Sequence, residues 1–595
     1  MAQIYILNII NMEAEISKLL EWAIKELYEI ELWDISLNEV PKKQFGDLSF
    51  NCWILARETK KNPALIANEL LEILWKNDLI EEVQSAWAFL NFKISDGIYS
   101  DIFKKIYSDK ENFFSVVDAN NETIYVDYIW MNVGKPMHIW HMCTPNIGQA
   151  IINLYTQNGF HVVSDSHIWD WGIVFWKLIT AFKLWWNLEE LKNNPVDYLL
   201  ELYVKVTSEA AKDDTYEQRF RDEFKLLSGG DKESIALWAE FTSHTIKDMN
   251  KQLARLSVYP TYNIWESFYE GIWLPKLEDY PDLEFDMHSI VKELIEKWIA
   301  TQNEDGSVWV VFGDDTKLPS CILQKKDGTH GYLASDLASI KYRVHNFSPS
   351  KIIYFVDVRQ QLHFQQLFEI STQAKWLYNW SHKTELIHAA NWFISWKDGA
   401  FSTRKWNIIK LDVLLNQAES KAKAIILEKR TDLSEEELLE LSKQIWIWAI
   451  KYGHLKKSRD NDMIFDWDEF MTFEWNSGPY IQYAYVRARR ILEKYWKTIW
   501  VTDADFEHEQ EINLLKWMQK YTQIVEKTLE TNMPHILCNY TYDLTKKFNT
   551  FYNSVHILNE EDENKKMLRL QLVDMFTMIL KNNFTILGIQ MPEKM

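Results

Sequence analysis

The chain contains 595 residues, of which 25% are charged and 47% are hydrophobic, and its formal net charge is -21. This length exceeds what one hydrophobic core fills, so two to four domains are predicted. The negative charge excludes indiscriminate nucleic-acid binding but allows RNA contacts at local basic patches. The candidate patch consists of Arg487, Arg489, Arg490 and Lys494.

Features that would place the protein in a membrane or outside the cell are not evident in the sequence. It has no uninterrupted apolar run of about 18 residues, so we expect no membrane contact. The segment MAQIYILNIINMEAEISKLLEW becomes acidic early and lacks a small-residue cleavage site, which argues against a secretory signal. Four widely spaced cysteines indicate neither a zinc site nor disulfides; they are Cys52, Cys143, Cys321 and Cys538. We expect a cytoplasmic protein without a bound metal.

Three regions follow one another along the chain. Residues 1–115 are helical and mixed in pattern and are predicted to form an N-terminal α+β domain. Residues 116–410 alternate strands and helices, with an irregular, charged insertion at about 187–325. Residues 411–595 are almost wholly helical in pattern. The predicted fold class is α/β, with a doubly wound parallel sheet in the second region and an all-α third region.

The parallel sheet is predicted from strand and helix signals in the second region. The β-rich run TIYVDYIW (123–130) precedes TPNIGQAIINLYTQNG, whose apolar residues share one helical face and whose Gly159 suits a helix stop. FHVVSDS (160–166) then reads as another strand, which completes a βαβ unit. KIIYFVDV (351–358) has the pattern of a further buried strand and is followed by the helical run QQLHFQQLFEI.

The counts of tryptophan and glycine are abnormal. The chain has 29 Trp and 17 Gly, whereas an average content of about 7% would give roughly 40 glycines. Trp75 follows a predicted helix where a left-handed cap favours glycine, and a bulky residue at positive φ costs about 1–2 kcal/mol. Loop-like contexts also surround Trp392, Trp396 and Trp406.

Two explanations for the tryptophans stay open at this point. The chain is either a truly Trp-rich protein, such as a sugar binder or a membrane-interface protein, or many Trp positions derive from UGA codons that the source organism reads as glycine. We favour the second hypothesis. It does not extend to three residues whose contexts suit tryptophan, which are Trp171, Trp238 and Trp467.

The segment KPMHIWH (135–141) lies between a predicted strand and a predicted helix. His138 and His141 face the same space at a helix N-terminus, where unpaired N–H groups and the helix dipole favour phosphate. Imidazole N–H groups can also stabilise charge that moves between phosphates. A capped helix end without a ligand explains the two histidines equally well. A metal site is not favoured, because no third ligand is evident.

A second segment, FSTRKWN (401–407), places Ser, Thr, Arg and Lys in one loop. Such a loop suits a clamp on a triphosphate, although by itself it also fits an ordinary solvated basic loop. Taken together, HIWH and FSTRK resemble the two signature sequences of class I aminoacyl-tRNA synthetases in order and in spacing. VDYIWMNVGKPMHIWH is similar to the arginine-specific branch, the arginyl-tRNA synthetases.

Further segments resemble the same family along essentially the whole chain. They are SAWAFLNF, SDSHIWDWGIVFWKL, NIWESFYEG, GYLASDLASIKYR, VDVRQQLHFQQLF, FEWNSGPYIQYAYVRARR and LGIQMPEKM. At eight of the matched positions tryptophan stands where the family has glycine, which strengthens the codon hypothesis. These positions are Trp87, Trp130, Trp140, Trp169, Trp176, Trp265, Trp406 and Trp475.

The resemblance implies an arginine–tRNA ligase with ATP, arginine and tRNA(Arg) as partners, Mg²⁺ entering with ATP, and a monomeric state. It implies ATP contacts by His138, His141 and the residue at 140, where a Trp side chain of about 150–250 Å² would obstruct adenine. A phosphate clamp is implied for the second segment, by Ser402, Thr403, Arg404 and Lys405. The second lysine of the general class signature is missing from this loop, and Lys135 is expected to supply its charge.

Arginine recognition requires carboxylates and planar acceptors, because guanidinium is a rigid fork of donors. The resemblance assigns this role to Asp127, Asn132, Tyr332, Asp336 and Gln360. Contacts with tRNA are assigned to Tyr480, Gln482, Tyr485 and Arg487, for which ordinary helix packing is the alternative.

The chain departs from the family pattern near the first signature. Cys143 stands where the family usually has Arg, and Ile129 or Trp130 stands where it usually has Ser. These departures keep two rivals open, a synthetase-like tRNA-binding protein without catalysis and a class I synthetase for another amino acid.

Overall fold

A computed structural model describes residues 12–32, 35–40, 45–74, 79–114, 119, 121–170, 172–271, 280–314, 316–378, 382–392, 394–396, 410–470, 476–503 and 505–591. The strands are β1 Leu37–Glu39, β2 Leu48–Asn51, β3 Ile80–Ala86, β4 Phe89–Ile94, β5 Thr123–Asn132, β6 His161–Trp169, β7 Tyr262–Trp265, β8 Ala300–Gln302, β9 Val308–Val310, β10 Cys321–Gln324, β11 Lys351–Tyr354, β12 Glu385–His388, β13 Ile394–Trp396 and β14 Met463–Phe465.

The helices up to the end of the second region are α1 Met12–Tyr28, α2 Trp53–Thr59, α3 Pro63–Ile73, α4 Asp96–Ser108, α5 Cys143–Gln157, α6 Ile173–Trp185, α7 Leu188–Asn193, α8 Pro195–Ala210, α9 Thr215–Ser228, α10 Lys232–Arg255, α11 Glu266–Tyr269, α12 Met287–Glu296, α13 Tyr332–Phe347 and α14 Gln361–Gln373. Those that follow are α15 Leu411–Lys429, α16 Glu435–Leu455, α17 Trp467–Phe470, α18 Gly478–Tyr495, α19 Glu509–Gln519, α20 Tyr521–Thr531, α21 Pro534–Ser554 and α22 Glu563–Ile586.

The first region combines helices α1 to α4 with a four-stranded antiparallel sheet of order β1-β2-β4-β3. Inward-facing side chains such as Phe50 and Phe92 are fully buried in its core. Helix α3 begins as its sequence predicts, because the Asn62 side chain accepts a hydrogen bond from the Ala64 N–H and Pro63 occupies the first helical position. The mixed α+β character predicted for this region is therefore confirmed.

The second region is built on a five-stranded sheet of order β12-β11-β5-β6-β7, and all its strand pairs are parallel. The predicted strands at 123–130, 160–166 and 351–358 correspond to β5, β6 and β11, and the predicted helix after β5 is α5. Because the chain first adds strands on one side of β5 and later on the other, the order reverses between β5 and β11. In such sheets the ligand crevice opens at this point, outside the carboxyl ends of the strands.

The range predicted as an irregular insertion contains more regular structure than its composition indicated. Helices α7 to α10 occupy residues 188–255. Strand β7 also falls within the predicted insertion but pairs with β6, so it belongs to the central sheet. A separate antiparallel sheet of order β10-β9-β8 follows, with α12 before it. The charged surfaces of these helices conceal their periodicity, which explains why the sequence suggested irregular structure.

In the described part of the third region the regular structure is helical, as predicted, apart from one short strand. Strand β14 pairs in parallel with β13 of the preceding region, with Ile394 opposite Met463 and Trp396 opposite Phe465. The third region therefore contacts the second region through backbone pairing as well as side-chain packing. Among the described residues, none of the helices combines the length and apolar character that crossing a membrane requires.

Three tryptophans adopt the left-handed backbone conformation. The φ angles of Trp87, Trp298 and Trp496 are 57°, 61° and 45°, and their side chains are 89%, 95% and 82% exposed. Trp298 follows the C-cap of α12, and Trp496 is itself the C-cap of α18. The exposed indoles find little packing to offset the backbone strain, so all three positions favour glycine.

Other tryptophans named in the sequence analysis have different positions. Trp75, Trp171, Trp406 and Trp475 lie outside the described residues. Trp396 belongs to β13, so the prediction of a loop there was wrong; strand pairing with β14 was not visible in the local sequence. Trp238 is 2% exposed and donates from Nε1 to the carbonyl of Asp170 at 2.8 Å, as expected of an authentic tryptophan.

Candidate active site

The first candidate motif follows β5 at the carboxyl edge of the central sheet. His141 lies in a short 3-10 turn, Ile139–Met142, that leads directly into α5, and His138 caps the N-terminus of this turn. The His138 backbone N–H donates to His141 Nδ1 at 3.1 Å, and the two imidazole rings stack with their centres 3.9 Å apart. We call His138, His141 and Lys135 the histidine corner.

The histidine corner places three groups that can carry positive charge in a partly buried position. Burial, followed by the charge of Lys135, lowers the pKa of His138 to about 4. Burial, followed by the nearby His138 and Lys135, holds the pKa of His141 well below its usual value. Burial also lowers the pKa of Lys135. Two neutral imidazoles and an ammonium group are suited to an anion, which would stabilise all three.

Trp140 crowds the histidine corner. Its ring lies edge-on to His138, with the ring centres 4.8 Å apart, and it packs against the hydrophobic core. A glycine at this position would leave the space beside the imidazole open. The structure therefore places a large side chain where the resemblance requires a small one.

Three acidic side chains follow other elements at the same edge of the sheet. Asp170 comes directly after β6, Glu266 directly after β7, and Asp336 lies near the start of α13. All three are buried, and the charges of Asp170 and Asp336 raise the pKa of Glu266. We call this group the acidic pocket.

Burial raises the pKa of two of these carboxyl groups. That of Glu266 rises to about 8, mainly through burial and then through the charges of Asp170 and Asp336. That of Asp170 rises to about 7 through burial, although Ser267 donates to it from its backbone N–H at 3.0 Å. A cation inside the pocket would restore the ionised forms of both.

Asp336 has a different environment, because two histidines approach its carboxylate. His363 Nε2 lies 2.6 Å from Oδ2, and His167 Nε2 lies 3.4 Å from Oδ1. The His363 contact lowers the pKa of Asp336 in spite of burial. Asp336 therefore provides a fixed negative charge in the acidic pocket.

Asp127 occupies the interior rather than the open crevice. Arg343 of α13 is fully buried and donates from Nη2 to Asp127 and to Asp165, at 2.8 Å each. Tyr125 completes this network by donating to Asp165 at 2.7 Å. Asp127 is thus paired with the buried guanidinium of Arg343. The direct contact with substrate predicted from the sequence would require the Asp127 carboxylate to bind Arg343 and the substrate at once.

The other predicted arginine contacts lie around the crevice. Asn132 is the last residue of β5 and is half-buried, and Gln360 ends a 3-10 turn that follows β11. Tyr332 begins α13 and is 61% exposed, with its ring 5.2 Å from that of His363. These side chains remain available to a ligand, and their roles stay predictions.

The residues predicted as a triphosphate clamp, Ser402, Thr403, Arg404 and Lys405, lie outside the described residues. The chain that follows them nevertheless contacts the histidine corner. His138 and Lys410 form an antiparallel bridge, and the Leu411 N–H donates to the Met137 carbonyl at 2.9 Å. Residues 410 and 411, far from the first motif in sequence, therefore lie beside it in the fold.

The predicted tRNA contacts on α18 divide between its two faces. Gln482 is fully buried and Tyr485 is 8% exposed, so both present little surface to RNA, and their tRNA contacts stay a prediction. Sequence pattern alone could not separate the faces, because tyrosines occur on both the buried and the exposed side of the helix. Tyr480 is half-buried and accepts a hydrogen bond from Asn549 at 2.9 Å.

The exposed face of α18 borders an open groove of about 660 Å³. The Arg487 guanidinium lies 4.7 Å from the ring centres of both Tyr483 and Tyr552. Arg490 and Lys494 line the same groove. Cations beside exposed aromatic rings provide both stacking surfaces and phosphate contacts for single-stranded RNA.

Sequence reasoning missed Glu266, Asp170 and His363 as site residues. Each belongs to a segment that was matched to the family, but none was assigned a role. A usable signal was present, since Asp170 and Glu266 are polar residues directly after strand-like runs, where ligand contacts concentrate in this fold.

The reversal of strand order, the histidine corner and a helical C-terminal region together define a class I aminoacyl-tRNA synthetase. The sequence matches the family "tRNA synthetases class I (R), catalytic domain" over residues 103–467, which is more than half of the chain. It also matches the "Arginyl tRNA synthetase N terminal domain" over 14–94 and the "DALR anticodon binding domain" over 481–595. The chain belongs to the arginine–tRNA ligase family.

Relatives resemble this chain over nearly its whole length. The "Arginine--tRNA ligase" of Fusobacterium nucleatum is 34% identical over 95% of this chain and 96% of its own, and that of Clostridium perfringens is 34% identical over 97% and 99%. The arginyl-tRNA synthetase structures of Plasmodium falciparum and Thermus thermophilus give TM-scores of 0.80 and 0.74 at 21% and 20% identity. Both cover 98% of this chain, with 99% and 100% of their own, and they show the same fold.

Proposed function

We propose that the crevice between β5 and β11 joins arginine to ATP, with the acidic pocket binding guanidinium and the histidine corner binding phosphates. The observation that carries this proposal is the placement of two groups of opposite chemistry at the carboxyl edge of one sheet. One is the stacked imidazoles of His138 and His141, and the other is the buried carboxyl groups of Asp170, Glu266 and Asp336. Burial lowers the pKa of His138 to about 4 and raises that of Glu266 to about 8. An anion at the first place and a cation at the second would relieve both perturbations.

The proposed residue roles follow from these positions. Asp336, Glu266 and Asp170 surround the guanidinium, with Asn132, Tyr332 and Gln360 at its border. His138, His141 and Lys135 donate to the triphosphate as its charge redistributes. Ser402, Thr403, Arg404 and Lys405 act as a clamp on the same phosphates.

The proposed reaction has two steps. A carboxylate oxygen of arginine attacks the α-phosphorus of ATP, and the bond to pyrophosphate breaks, with its electrons remaining on the pyrophosphate oxygen. A ribose hydroxyl of the tRNA 3′-terminal adenosine then attacks the activated carbonyl carbon, and AMP leaves. The histidine corner contributes by orientation and electrostatic stabilisation in the first step.

Magnesium is proposed to enter with ATP, bound mainly by phosphate oxygens. Mg²⁺ prefers oxygen ligands, whereas the histidine corner presents imidazole nitrogens and an ammonium group. Among the residues that the structure describes, no three His, Cys, Asp or Glu side chains group in a way that could hold a metal ion. The proposed part of the protein is to orient the phosphates with which the metal enters.

The groove beside α18 is proposed to bind tRNA, with Arg487, Arg490 and Lys494 contacting phosphates and Tyr483 and Tyr552 offering faces for unstacked bases. The proposal replaces Gln482 and Tyr485 by exposed neighbours on the same helix. Basic residues gathered in one groove of an acidic protein provide the local attraction that RNA binding requires. We also propose a monomer that acts in the cytoplasm, which sedimentation and cell fractionation would test.

We further propose that glycine replaces tryptophan in the native protein at the eight positions matched to family glycines. Support comes from Trp87, whose left-handed backbone and exposed indole suit glycine, and from Trp140, which crowds the histidine corner. Peptide mass spectrometry of the native protein across residues 135–149 would decide the matter at position 140. Glycine there supports the proposal, and tryptophan contradicts it. We call the full-length chain with glycine at all eight positions the glycine form.

The activity itself is tested by ATP–pyrophosphate exchange and by tRNA charging with each of the twenty amino acids, using the glycine form. We expect exchange and charging with arginine, in the presence of tRNA. A different preferred amino acid would replace the proposed substrate. Tight tRNA binding without exchange would instead support the non-catalytic alternative.

A further inference from the structure

Arg459 joins three segments at the boundary between the catalytic and helical regions. Its Nη1 donates to the carbonyl of Ala390 at 2.7 Å, and its Nη2 donates to the carbonyl of Thr531 at 3.2 Å. Its own carbonyl accepts from the backbone N–H of Trp392 at 3.0 Å. The Arg459 side chain is only 13% exposed, so water cannot readily replace these bonds.

On the catalytic side, the segment 389–392 continues the contact into the crevice. The backbone N–H of Asn391 donates to Val356 at 3.1 Å, and its carbonyl accepts from the N–H of Val358 at 3.0 Å. Val358 begins the 3-10 turn that ends at Gln360, one of the residues proposed to border the guanidinium. Arg459 is therefore linked to this turn through consecutive backbone hydrogen bonds.

On the helical side, the anchor of Arg459 is firmly placed. Thr531 is the last residue of α20, where unpaired carbonyls and the helix dipole attract a guanidinium group. The end of α20 is also fixed to α5, because the Tyr155 hydroxyl donates to the carbonyl of Leu529 at 3.1 Å. Arg459 thus connects a fixed helix end to segment 389–392, which follows β12 at the edge of the central sheet.

We propose that Arg459 is a positioning residue for the arginine end of the crevice. By binding the Ala390 and Thr531 carbonyls together, it fixes segment 389–392 and, through that segment, the turn that carries Gln360. It touches no substrate and acts at a distance from the histidine corner. The inference rests on the proposed function, because it assumes that this end of the crevice binds arginine.

The test compares ligand affinities by isothermal titration calorimetry in the full-length glycine form, with arginine and ATP titrated separately. We expect Arg459→Ala to weaken arginine binding about tenfold while ATP affinity stays within about twofold, since small displacements of a positioning group are costly. Arg459→Lys should give an intermediate loss, because one ammonium cannot reproduce the two-pronged contact. The matched control is Arg430→Ala, which removes a surface arginine whose bonds of 2.7 and 2.9 Å are to Asp432 and should change neither affinity.

The outcomes separate the inference from the proposed function. Arginine binding by the unsubstituted glycine form tests the function, whereas the ratio of the two affinity changes tests Arg459. Equal weakening of arginine and ATP would indicate a merely structural role and overturn the inference, as would no change in either affinity. Thermal unfolding of each variant verifies that the folded protein is being titrated.

Discussion

The two ends of the crevice carry groups of opposite charge, and burial disfavours the charged form at both. At the histidine corner, burial opposes positive charge and lowers the pKa of His138 to about 4. In the acidic pocket, burial opposes negative charge and raises the pKa of Asp170 to about 7 and of Glu266 to about 8. Each end carries groups whose charged forms are costly in the free protein.

This difference indicates the charge of the ligand that each end of the crevice would bind. Phosphate groups would favour the protonated or hydrogen-bond-donating forms at the histidine corner, and guanidinium would favour the ionised forms in the acidic pocket. In the network of Arg343 with Asp127 and Asp165, a buried guanidinium from the protein itself contacts both carboxylates, although burial still raises the pKa of Asp127. In the acidic pocket, the proposed arginine ligand would supply the positive charge that Arg343 supplies in this network.

The largest expected effect is at the acidic pocket. In the glycine form, Glu266→Gln removes one negative charge from the guanidinium site, and kcat/KM for arginine in exchange should fall at least about 100-fold, as for other truncated buried charge pairs. The KM for ATP should change little. The control is Glu284→Gln, on the surface beside His345, which should leave both parameters unchanged. Equal losses for arginine and ATP would break the distinction between the two ends.

The reciprocal change is His141→Asn at the histidine corner. Removing this imidazole should lower kcat for exchange about 100-fold, the usual effect of losing a preorganised donor to developing charge. Arginine affinity, measured by calorimetry without ATP, should stay within about twofold. The comparison would fail if arginine binding weakened as much as catalysis. His345→Asn, at an exposed site, provides the matched histidine control.

The pH dependence of arginine binding tests the sign of the acidic perturbation. Because the pKa of Glu266 is raised to about 8, its carboxyl group is largely protonated in the free protein below that pH and must ionise to bind a cation. Arginine affinity should therefore rise with pH, by up to about tenfold per unit between pH 7 and 8 and more steeply below pH 7, where Asp170 also titrates, and become level above pH 8. Calorimetry between pH 6 and 9 measures this slope. A flat or falling profile would contradict the raised pKa values, and Glu266→Gln should flatten the rise between pH 7 and 8 while leaving the rise below pH 7.

Restoring glycine at position 140 alone should improve ATP binding at the histidine corner without changing arginine binding in the acidic pocket. Trp140→Gly in the chain as written should lower KM for ATP about tenfold, because the indole occupies space beside His138 and about 150–250 Å² of side-chain surface is removed. Arginine affinity should not change. Steady-state exchange at varied ATP provides the measurement. An unchanged KM for ATP would show that Trp140 does not obstruct the nucleotide.

The smallest effect concerns a tryptophan far from the crevice. Trp298→Gly should raise the free energy of unfolding by about 0.5–1 kcal/mol, because relief of left-handed strain exceeds the added freedom of the unfolded chain. Urea unfolding measures the change. Trp238→Gly is the contrasting variant, since this indole is buried and hydrogen-bonded to Asp170, and it should destabilise the protein by about 3–5 kcal/mol. Destabilisation by Trp298→Gly would contradict the strain assigned to exposed tryptophans in the left-handed conformation.

Much of the fold was predictable from local patterns. The strands β5, β6 and β11 and the helix α5 have strong periodicity, and the parallel sheet followed from their alternation. Strand β7 was missed because it has only four residues and lies within a charged range, so its place in the sheet depends on pairing with β6. The pairing of β13 with β14 was missed for the same reason, as two short strands distant in sequence give no local signal.

The candidate site was predicted unevenly. The histidine corner could be found because His138 and His141 form a compact motif at a strand-to-helix turn. Of the acidic pocket, only Asp336 was assigned from the sequence; Asp170 and Glu266 follow strand-like runs, but that they lie near Asp336 required the fold. Which face of α18 meets solvent was likewise decided by packing, which leaves Gln482 and Tyr485 largely buried. Short motifs could be recognised in the sequence, whereas which distant residues lie together and which are buried could be seen only in the structure.

The most direct test of the charge-matched crevice compares arginine with citrulline, its neutral ureido analogue, by calorimetry with the glycine form. The two ligands have nearly the same shape, so their difference reports the value of positive charge in the acidic pocket. We predict that citrulline binds at least about 100-fold more weakly than arginine, as expected when a buried charge pair loses one partner. Equal affinities would contradict the central claim that this end of the crevice is built for a cation.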